Sequence, residues 1–421
     1  MRIAELVAYH VRLPLKRRIR HASYSRRVSD SFVVRCILDT GVEGWGEGLP
    51  RRYVTGESIE AGFDMLRDTP LTGQLGGEFN TLDELIAILD PFELWLPEPD
   101  PRECFGNAIR CALELSILDA ACRSVKVPLS EVTRTYAPAA GIREDRSNVR
   151  YSAVITSTSR WKQGLMARLI RSYGFEHTKV KVGASDIDDA AMLKRLRRIF
   201  GRDMNLRVDA NEAWTCRNLE KHLEPLLPYD ISCIEQPVPH IDVNGLSDIR
   251  SRVMTPIMLD ESLCSIRDAR QAIECGTCDV FNIRLSKCGG FLRSLKLAAI
   301  ANQAGLGYQL GCHVGESGIL SAAGRHFATS VADIRYLEGS YDRFLVKEPL
   351  TAEKLTFGRG GAAPALTGPG LGVTVDVEAL RRRTFVEEHY TVALNLQASK
   401  PQKTTPVTVV EPESVGEPLG D

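Results

Sequence analysis

The stretch that decides the fold is HTKVKVGASDIDDAAMLKRLRRIFGRDMNLRVDAN, residues 177–211. It begins with the short strand-like run HTKVKVG and ends with a second one, NLRVDAN. Between them, the residues from Asp188 to Phe200 place their large apolar side chains on one helix face, and Gly201 ends that helix. The stretch therefore predicts a strand, a helix and a second strand in succession.

The same unit recurs about every 25 residues through the middle of the chain. The strand-like runs are VRYSAVIT, HTKVKVG, NLRVDAN, SCIEQP, PIMLDES, DVFNIRLSK, GYQLGC and RYLEGS. Eight strand signals that alternate with helices are typical of a closed parallel barrel, because open doubly wound sheets usually have fewer units. We expect an α/β barrel.

The segments on either side of the barrel have a different pattern. Residues 1–125 begin with alternating strands and continue with helices, which predicts an α+β domain beside the barrel domain at 126–340. Residues 341–396 are mixed, and we expect them to return to the first domain. Residues 397–421 contain no aromatic residue and are rich in Pro, Thr and Glu, which predicts a disordered tail.

The composition excludes several classes of protein. Of the 421 residues 43% are apolar and 25% are charged, as in soluble globular enzymes. The net charge of −1 gives no indication of nucleic-acid or membrane partners, and no apolar run is long enough to span a bilayer. Eleven cysteines without a secretory signal suggest reduced thiols in the cytoplasm, and the pair Cys275 and Cys278 has no second pair at zinc-site spacing.

Carboxylates follow three successive strands of the predicted barrel. Asp209 and Glu235 are 26 residues apart, and Glu235 and Asp260 are 25 apart, which is one repeat each time. Catalytic residues of such barrels lie at the carboxyl ends of the strands. Three carboxylates at one barrel mouth repel each other unless a cation neutralises them, and a hard divalent ion prefers oxygen ligands. We predict Mg²⁺ at this position, with Mn²⁺ as a substitute.

Lysines are placed on the strands before and after these carboxylates. Lys179 and Lys181 alternate on the second strand and so point to the same face, and Lys287 follows the sixth strand. A cation and a second amine nearby favour the neutral amine that a general base needs. A bound metal would stabilise the negative charge that develops when a proton leaves the carbon next to a carboxylate.

Each of these features has an ordinary explanation when it is taken alone. A lysine pair on a strand is usually a solvated face, an Asp at a strand end is often a helix cap, and Asp-Glu-Ser is often a turn. Five such features in order, at barrel spacing, favour an active site.

Together the motifs resemble the enolase superfamily, in particular its muconate-lactonizing subgroup. The resemblance rests on TKVKVG at 178–183, the three carboxylates, NIRLSKCGG at 282–290, Gly311-Cys312 with Glu316-Ser317, and HFA at 326–328. It covers most of the chain. It implies a modified TIM (β/α)7β barrel whose α+β capping domain is formed by the N-terminal region and a C-terminal return.

The resemblance also implies roles for these residues. Lys181 and Lys287 would be acid/base groups on opposite faces of the substrate, and Lys179 would tune Lys181. Asn211 and Glu261 would support the metal ligands. Many relatives have lysine where this chain has Arg284, which leaves Lys287 as the candidate base on that strand.

Substrate contacts are expected from the capping domain and from the last barrel strands. The basic loop LKRRIRHASYSRR, at 15–27, could hold a distal carboxylate or be only a solvated loop. The loop at 51–57 is a second predicted lid. Dipeptide epimerases of the subgroup have Asp-x-Asp on the eighth strand, and this chain has Glu338-Gly339-Ser340 instead. The candidate contacts are Arg20, Tyr53, His313, Glu316 and Glu338, and His313 could equally be structural.

The leading functional hypothesis is an isomerase, either a cycloisomerase or a racemase/epimerase of a small-molecule carboxylate. The alternative is a lyase, a dehydratase or an o-succinylbenzoate synthase-like enzyme, in which the same enolate expels a β-leaving group. A metal-independent barrel glycosidase and a non-catalytic binding protein are weaker candidates. The resemblance further implies a homo-oligomer.

Overall fold

The computed structural model describes residues 1–20 and 25–393. The predicted tail at 397–421 lies outside the described residues. The strands are β1 (Ile3–Arg20), β2 (Ser25–Leu38), β3 (Glu43–Gly48), β4 (Asn148–Arg150), β5 (Ala153–Ile155), β6 (His177–Lys181), β7 (Asn205–Asp209), β8 (Ile231–Glu235), β9 (Ile257–Leu259), β10 (Val280–Ile283), β11 (Gly307–Leu310), β12 (Ile334–Leu337), β13 (Ala362–Pro364) and β14 (Thr384–Thr391). The helices are α1 (Ile59–Asp68), α2 (Leu71–Leu75), α3 (Leu82–Leu89), α4 (Asn107–Ser124), α5 (Glu131–Thr135), α6 (Arg160–Tyr173), α7 (Asp189–Phe200), α8 (Leu219–Leu223), α9 (Leu246–Arg250), α10 (Ile266–Cys275), α11 (Phe291–Gln303), α12 (Gly318–Ser330), α13 (Asp342–Leu345) and α14 (Val377–Arg383).

The N-terminal region forms an antiparallel sheet with the strand order β14-β1-β2-β3. Helix α4 packs across β3, whose sequence is EGWGEG. A Cβ atom at Gly46 would lie 2.0 Å from the carbonyl oxygen of Ala112, so only glycine lets the two backbones approach so closely. Strand β14 pairs with β1, and the C-terminal segment therefore adds a strand to the N-terminal sheet.

The eight strands β5–β12 form one parallel sheet in sequence order. The backbone N–H of Ser152, just before β5, donates to the carbonyl of Leu337 at the end of β12, at 2.7 Å. The first and last strands therefore meet, and the sheet curls into a barrel. The predicted fold class, a modified (β/α) barrel with a separate α+β cap, is confirmed.

The unit that opened the sequence argument folds largely as expected. Helix α7 begins after Asp188, whose side chain caps it by accepting from the N–H of Ala191, and it ends at Gly201, where φ is +81°. The run VRYSAVIT is different, because it forms two strands rather than one. Strand β4 pairs with β13 outside the barrel, and only β5 joins the barrel sheet.

Other sequence expectations concern the thiols and the membrane. All eleven cysteines are free, and Cys275 and Cys278 lie at and just after the end of α10. In the described part of the chain, no helix combines the length and the apolar character that crossing a bilayer requires.

Candidate active site

The carboxyl ends of β6, β7 and β8 bring the predicted residues side by side. Lys181 pairs in register with Asp209, and Asp209 pairs with Glu235. Asp260 directly follows β9. All three carboxylates are almost completely buried. The sequence therefore placed these groups correctly at one end of the barrel, and their roles stay a prediction.

Lys179 lies inside the barrel, surrounded by carboxylates. Its Nζ is 3.1 Å from an oxygen of Glu235, 2.9 Å from Glu338 and 3.4 Å from Asp209. Burial alone would lower the pKa of Lys179, but the Glu235, Glu338 and Asp209 charges outweigh it and raise the pKa well above its usual value. Lys179 is a permanent cation here and acts on its surroundings through its charge.

Lys181 has a different environment, two residues further along the same strand. Its side chain is half-buried, and its Nζ donates to Oδ1 of Asn211. Asn211 has φ of +43°, a conformation that asparagine tolerates better than most residues, and its N–H donates to Asp209 Oδ1 at 3.1 Å. Asn211 thus links the amine to the carboxylate cluster, and Lys181 keeps access to the barrel mouth.

The charges of the carboxylates depend on their neighbours. Burial raises the pKa of Glu235 to about 7; Lys179 opposes the rise, and Asp209 and Glu338 add to it. Burial would also raise the pKa of Asp260, but Arg284 and Lys287 outweigh it and lower the pKa to about 2. The two carboxylates therefore differ because burial dominates at Glu235, whereas two neighbouring cations dominate at Asp260.

These residues suit a hard divalent cation by their chemistry. Asp209, Glu235 and Asp260 supply buried carboxylate oxygens at the ends of adjacent strands, and such oxygens are the ligands that a hard divalent cation prefers. Each carboxylate is at present held by side-chain cations, and among residues 1–20 and 25–393 no three acidic, histidine or cysteine side chains form a ready metal cage. A bound Mg²⁺ would compete with Lys179 and Arg284 for the same oxygens.

Lys287, the predicted second base, is enclosed by the protein. Its side chain is fully buried, and its Nζ donates to the carbonyls of Asp260 (2.6 Å) and Asn282 (2.9 Å) and to Asp260 Oδ1 (3.0 Å). Burial lowers the pKa of Lys287, but the Asp260 charge outweighs this and raises it. An ammonium with three internal acceptors is held in place by the protein, which weighs against Lys287 as the second base, a role that stays a prediction. This enclosure was not predicted because Lys287 lies in the loop four residues after the end of β10, where the chain turns its side chain back into the protein.

Arg284 takes the position at the mouth above β10. Its guanidinium contacts Asp260 and lies 3.7 Å from Glu235, and its side chain keeps some exposure, at 13%. A Cβ atom at Gly311 would lie 3.1 Å from Arg284 Cγ and 2.2 Å from Asn282 Oδ1. The glycine directly after β11 thus leaves room for the arginine at the mouth.

Glu338, a predicted substrate contact, is paired with two internal cations, and its role stays a prediction. Arg207 Nη2 and Lys179 Nζ both contact it, and the Arg207 side chain is completely buried. The predicted contact is therefore part of the barrel interior. Arg207 was missed, although it is two residues before Asp209 and alternation turns it to the same face.

Two other candidate substrate contacts, His313 and Glu316, lie together in the loop after β11. His313 is buried, and neither ring nitrogen has a hydrogen-bond partner among the described residues. Its pKa is lowered well below the usual value by burial and then by the nearby Arg284 and Arg51 charges, so the ring is neutral. Glu316 accepts from the N–H of His313, and burial raises its pKa to about 8.

Two candidates belong to the capping domain. Tyr53 packs against a small cluster formed by Val54, Cys104 and Cys264, where the cap meets the barrel. The side chain of Arg20 lies outside the described residues. The basic loop does reach the barrel, because Arg26 Nη2 donates to the carbonyl of Val314 at 2.6 Å.

Two residues to which the sequence alone assigned no role, Gln236 and Asn282, hold the carboxylates in place. The Gln236 side chain accepts from the N–H of Asp260 at 2.8 Å and donates to Ser262 at 2.7 Å. Asn282 donates to Glu235 Oε1 at 2.8 Å. Glu261, predicted to support the ligands, is buried with Oε2 unpartnered among the described residues, and burial followed by the Asp260 charge raises its pKa well above the usual value.

The chain matches the family described as enolase C-terminal domain-like over residues 163–380, slightly more than half of its length. The match covers β6 through β13, including every carboxylate strand of the site. The chain therefore belongs to the enolase superfamily, and the resemblance drawn from its motifs is confirmed.

Characterised relatives match almost the whole chain. A hydrophobic dipeptide epimerase of Enterococcus faecalis is 30% identical over 79% of this chain and 89% of its own length. An N-succinyl-L-Arg/Lys racemase of Bacillus cereus is 28% identical over 92% and 99%. The crystal structure of the N-succinyl Arg/Lys racemase from Bacillus cereus superposes with a TM-score of 0.80, at 27% identity and 93% and 100% coverage. Epimerases and racemases are isomerases, and the predicted enzyme class is confirmed at that level.

Proposed function

We propose that this protein removes the α-proton of a small carboxylate substrate with Lys181, at a site that binds Mg²⁺ through Asp209, Glu235 and Asp260. The observation that carries the proposal is the half-buried Lys181 amine beside three buried carboxylates at one barrel mouth. The isomerase relatives support this reaction class.

Several residues of the site have separate roles in this proposed proton abstraction. Lys181, held by Asn211, receives the proton, and Lys179 keeps its positive charge below it. Gln236 and Asn282 fix Asp260 and Glu235 through hydrogen bonds. When bound, Mg²⁺ would stabilise the negative charge of the deprotonated substrate.

The substrate class that the site favours is an N-acyl amino acid with a second anionic group. Glu338 is held by Lys179 and Arg207, so it does not offer a carboxylate to a free substrate amine. Arg26 of the cap is fixed at Val314, in the loop after β11. A guanidinium there suits an acyl chain that ends in a carboxylate, and the racemase relative is named for N-succinyl amino acids.

Proton exchange tests the proposed reaction. The protein and Mg²⁺ are incubated in D₂O with N-succinyl amino acids and with dipeptides, and ¹H NMR follows loss of the α-proton signal. We expect exchange with at least one N-succinyl amino acid and slower exchange with dipeptides. Absence of exchange throughout the panel would contradict the proposed reaction, and dipeptides that exchange faster would contradict the proposed substrate class.

Calorimetry tests the metal site separately from activity. We expect wild type to bind Mg²⁺ and Asp209→Asn to bind it more weakly, because the amide removes a charged oxygen ligand. Asp188→Asn, which changes only the cap of α7, is the matched control. Equal affinity in wild type and Asp209→Asn would contradict the role of Asp209, and exchange that persists with a chelator would contradict the metal requirement.

A further inference from the structure

The two sides of the barrel mouth differ in the kind of cation they present. The eight barrel strands are in sequence order, so β6 and β10, four strands apart, lie across the barrel from each other. On the β6 side, Lys181 offers a half-buried amine. On the β10 side, the partly exposed side chain is that of Arg284, and the Lys287 amine is enclosed by three acceptors.

An arginine cannot do what a lysine does in this position. The guanidinium stays charged at any pH that a protein tolerates, whereas an amine can give up and regain a proton. Arg284 is also firmly placed, because it contacts Asp260 and lies 3.7 Å from Glu235. A fixed cation in this place binds negative charge without exchanging a proton.

We infer that Arg284 makes the reaction one-sided: Lys181 alone moves the proton, and Arg284 holds the substrate's negative charge on the opposite side. The inference rests on the proposed function and predicts the stereochemical outcome at the substrate α-carbon. It favours exchange with retention, cycloisomerisation or elimination over racemisation, which needs a proton donor on each face.

The proton balance of the step is simple. The neutral Lys181 amine takes the α-proton, the C–H bonding pair moves into the enediolate of the substrate carboxylate, and Lys181 becomes an ammonium. In D₂O the ammonium exchanges its protons and returns a deuteron to the same face. The carbon regains its original configuration, and no oxidant or further reactant is needed.

The test compares exchange with inversion in the same samples. Single enantiomers of N-succinyl amino acids are incubated with the full-length protein and Mg²⁺ in D₂O; NMR reports exchange and chiral chromatography reports inversion. For wild type we expect exchange of one enantiomer without inversion. For Arg284→Lys we expect the ratio of inversion to exchange to rise roughly tenfold or more, because a positioned acid/base group contributes roughly 100-fold or more.

Controls make each outcome decisive. Arg252→Lys makes the same chemical change at a half-exposed pair with Glu220 and should leave the ratio unchanged. Inversion by wild type as fast as exchange would overturn the inference and leave the proposed function standing. A folded Arg284→Lys protein that exchanges without inversion would overturn the role of Arg284. No exchange by wild type with either enantiomer would instead remove the proposed function.

Discussion

Two basic residues lie on β6 and two follow β10, on opposite sides of the barrel mouth. The spacing within each pair determines which way the side chains point. On β6, Lys179 and Lys181 are two apart on a regular strand, so both face the barrel interior. After β10, Arg284 and Lys287 are three apart in a loop. There Lys287 turns back to bind the carbonyls of Asp260 and Asn282, and Arg284 reaches the mouth.

The difference shows that the hydrogen-bond acceptors around a basic residue decide whether it is a fixed cation or a candidate base. Lys179 on β6 and Lys287 after β10 are enclosed by carboxylate or carbonyl oxygens, which keep both side chains positively charged. Lys181, bound to the neutral amide of Asn211, lies in the environment that suits proton transfer. One pair therefore contains a candidate base and the other does not.

The largest expected effect is at Lys181. Lys181→Ala should lower the rate of α-proton exchange about 100- to 10,000-fold, because it removes the group that receives the proton. Lys181→Arg should be comparably slow, since it keeps the charge and loses the base. Lys162→Ala, at an exposed lysine of α6, is the control, and exchange by NMR is the measurement. Near wild-type exchange in Lys181→Ala would contradict the assignment of the base to the β6 side of the barrel mouth.

Lys287 should affect stability more than chemistry. Lys287→Met leaves the buried Asp260 without one of its cations and removes three hydrogen bonds, and breaking a buried pair in this way costs about 3–5 kcal/mol. We expect a lower urea midpoint, with exchange per folded molecule reduced less than in Lys181→Ala. Wild-type stability together with lost exchange would restore Lys287 as a base.

The smallest expected effect concerns the fall of the unfolding free energy at acid pH, here called the acid limb. This fall depends on the ion pair between Lys179 and Glu338. Burial would raise the pKa of Glu338, but Lys179 and Arg207 outweigh it and lower the pKa to about 2. This stabilisation is present above the unfolded pKa of 4.5 and is lost as the pH falls toward 2. Glu338→Gln should therefore flatten the decline of unfolding free energy in this interval, by about 3 kcal/mol at most.

A nearby carboxyl with the opposite shift is the control for that measurement. Burial raises the pKa of Glu316 to about 8, so Glu316→Gln should not flatten the acid limb and should stabilise the protein at neutral pH. Urea unfolding across the acid range compares the two variants. An unchanged acid limb in Glu338→Gln would mean that the Lys179 pairing contributes nothing measurable.

Much of the architecture could be predicted because it depends on periodicity. The strand runs and the α7 boundaries follow from alternation, capping and glycine, and the spacing of Asp209, Glu235 and Asp260 follows from the repeat. The acceptors of Lys287 could not be predicted, because they come from a loop conformation and from a residue 27 positions away. The internal pairing of Glu338 with Arg207 spans 131 positions and was missed for the same reason.

The sequence by itself determined the barrel, the order of its strands and the set of charged residues at their ends, since these depend on local patterns repeated along the chain. Tertiary structure alone decided which cations are enclosed and which remain at the mouth. The physical reason is that the role of a charged side chain depends on the oxygens around it, and residues far away in the sequence supply many of those oxygens. Lys181 and Arg284 differ from Lys179 and Lys287 in those surroundings.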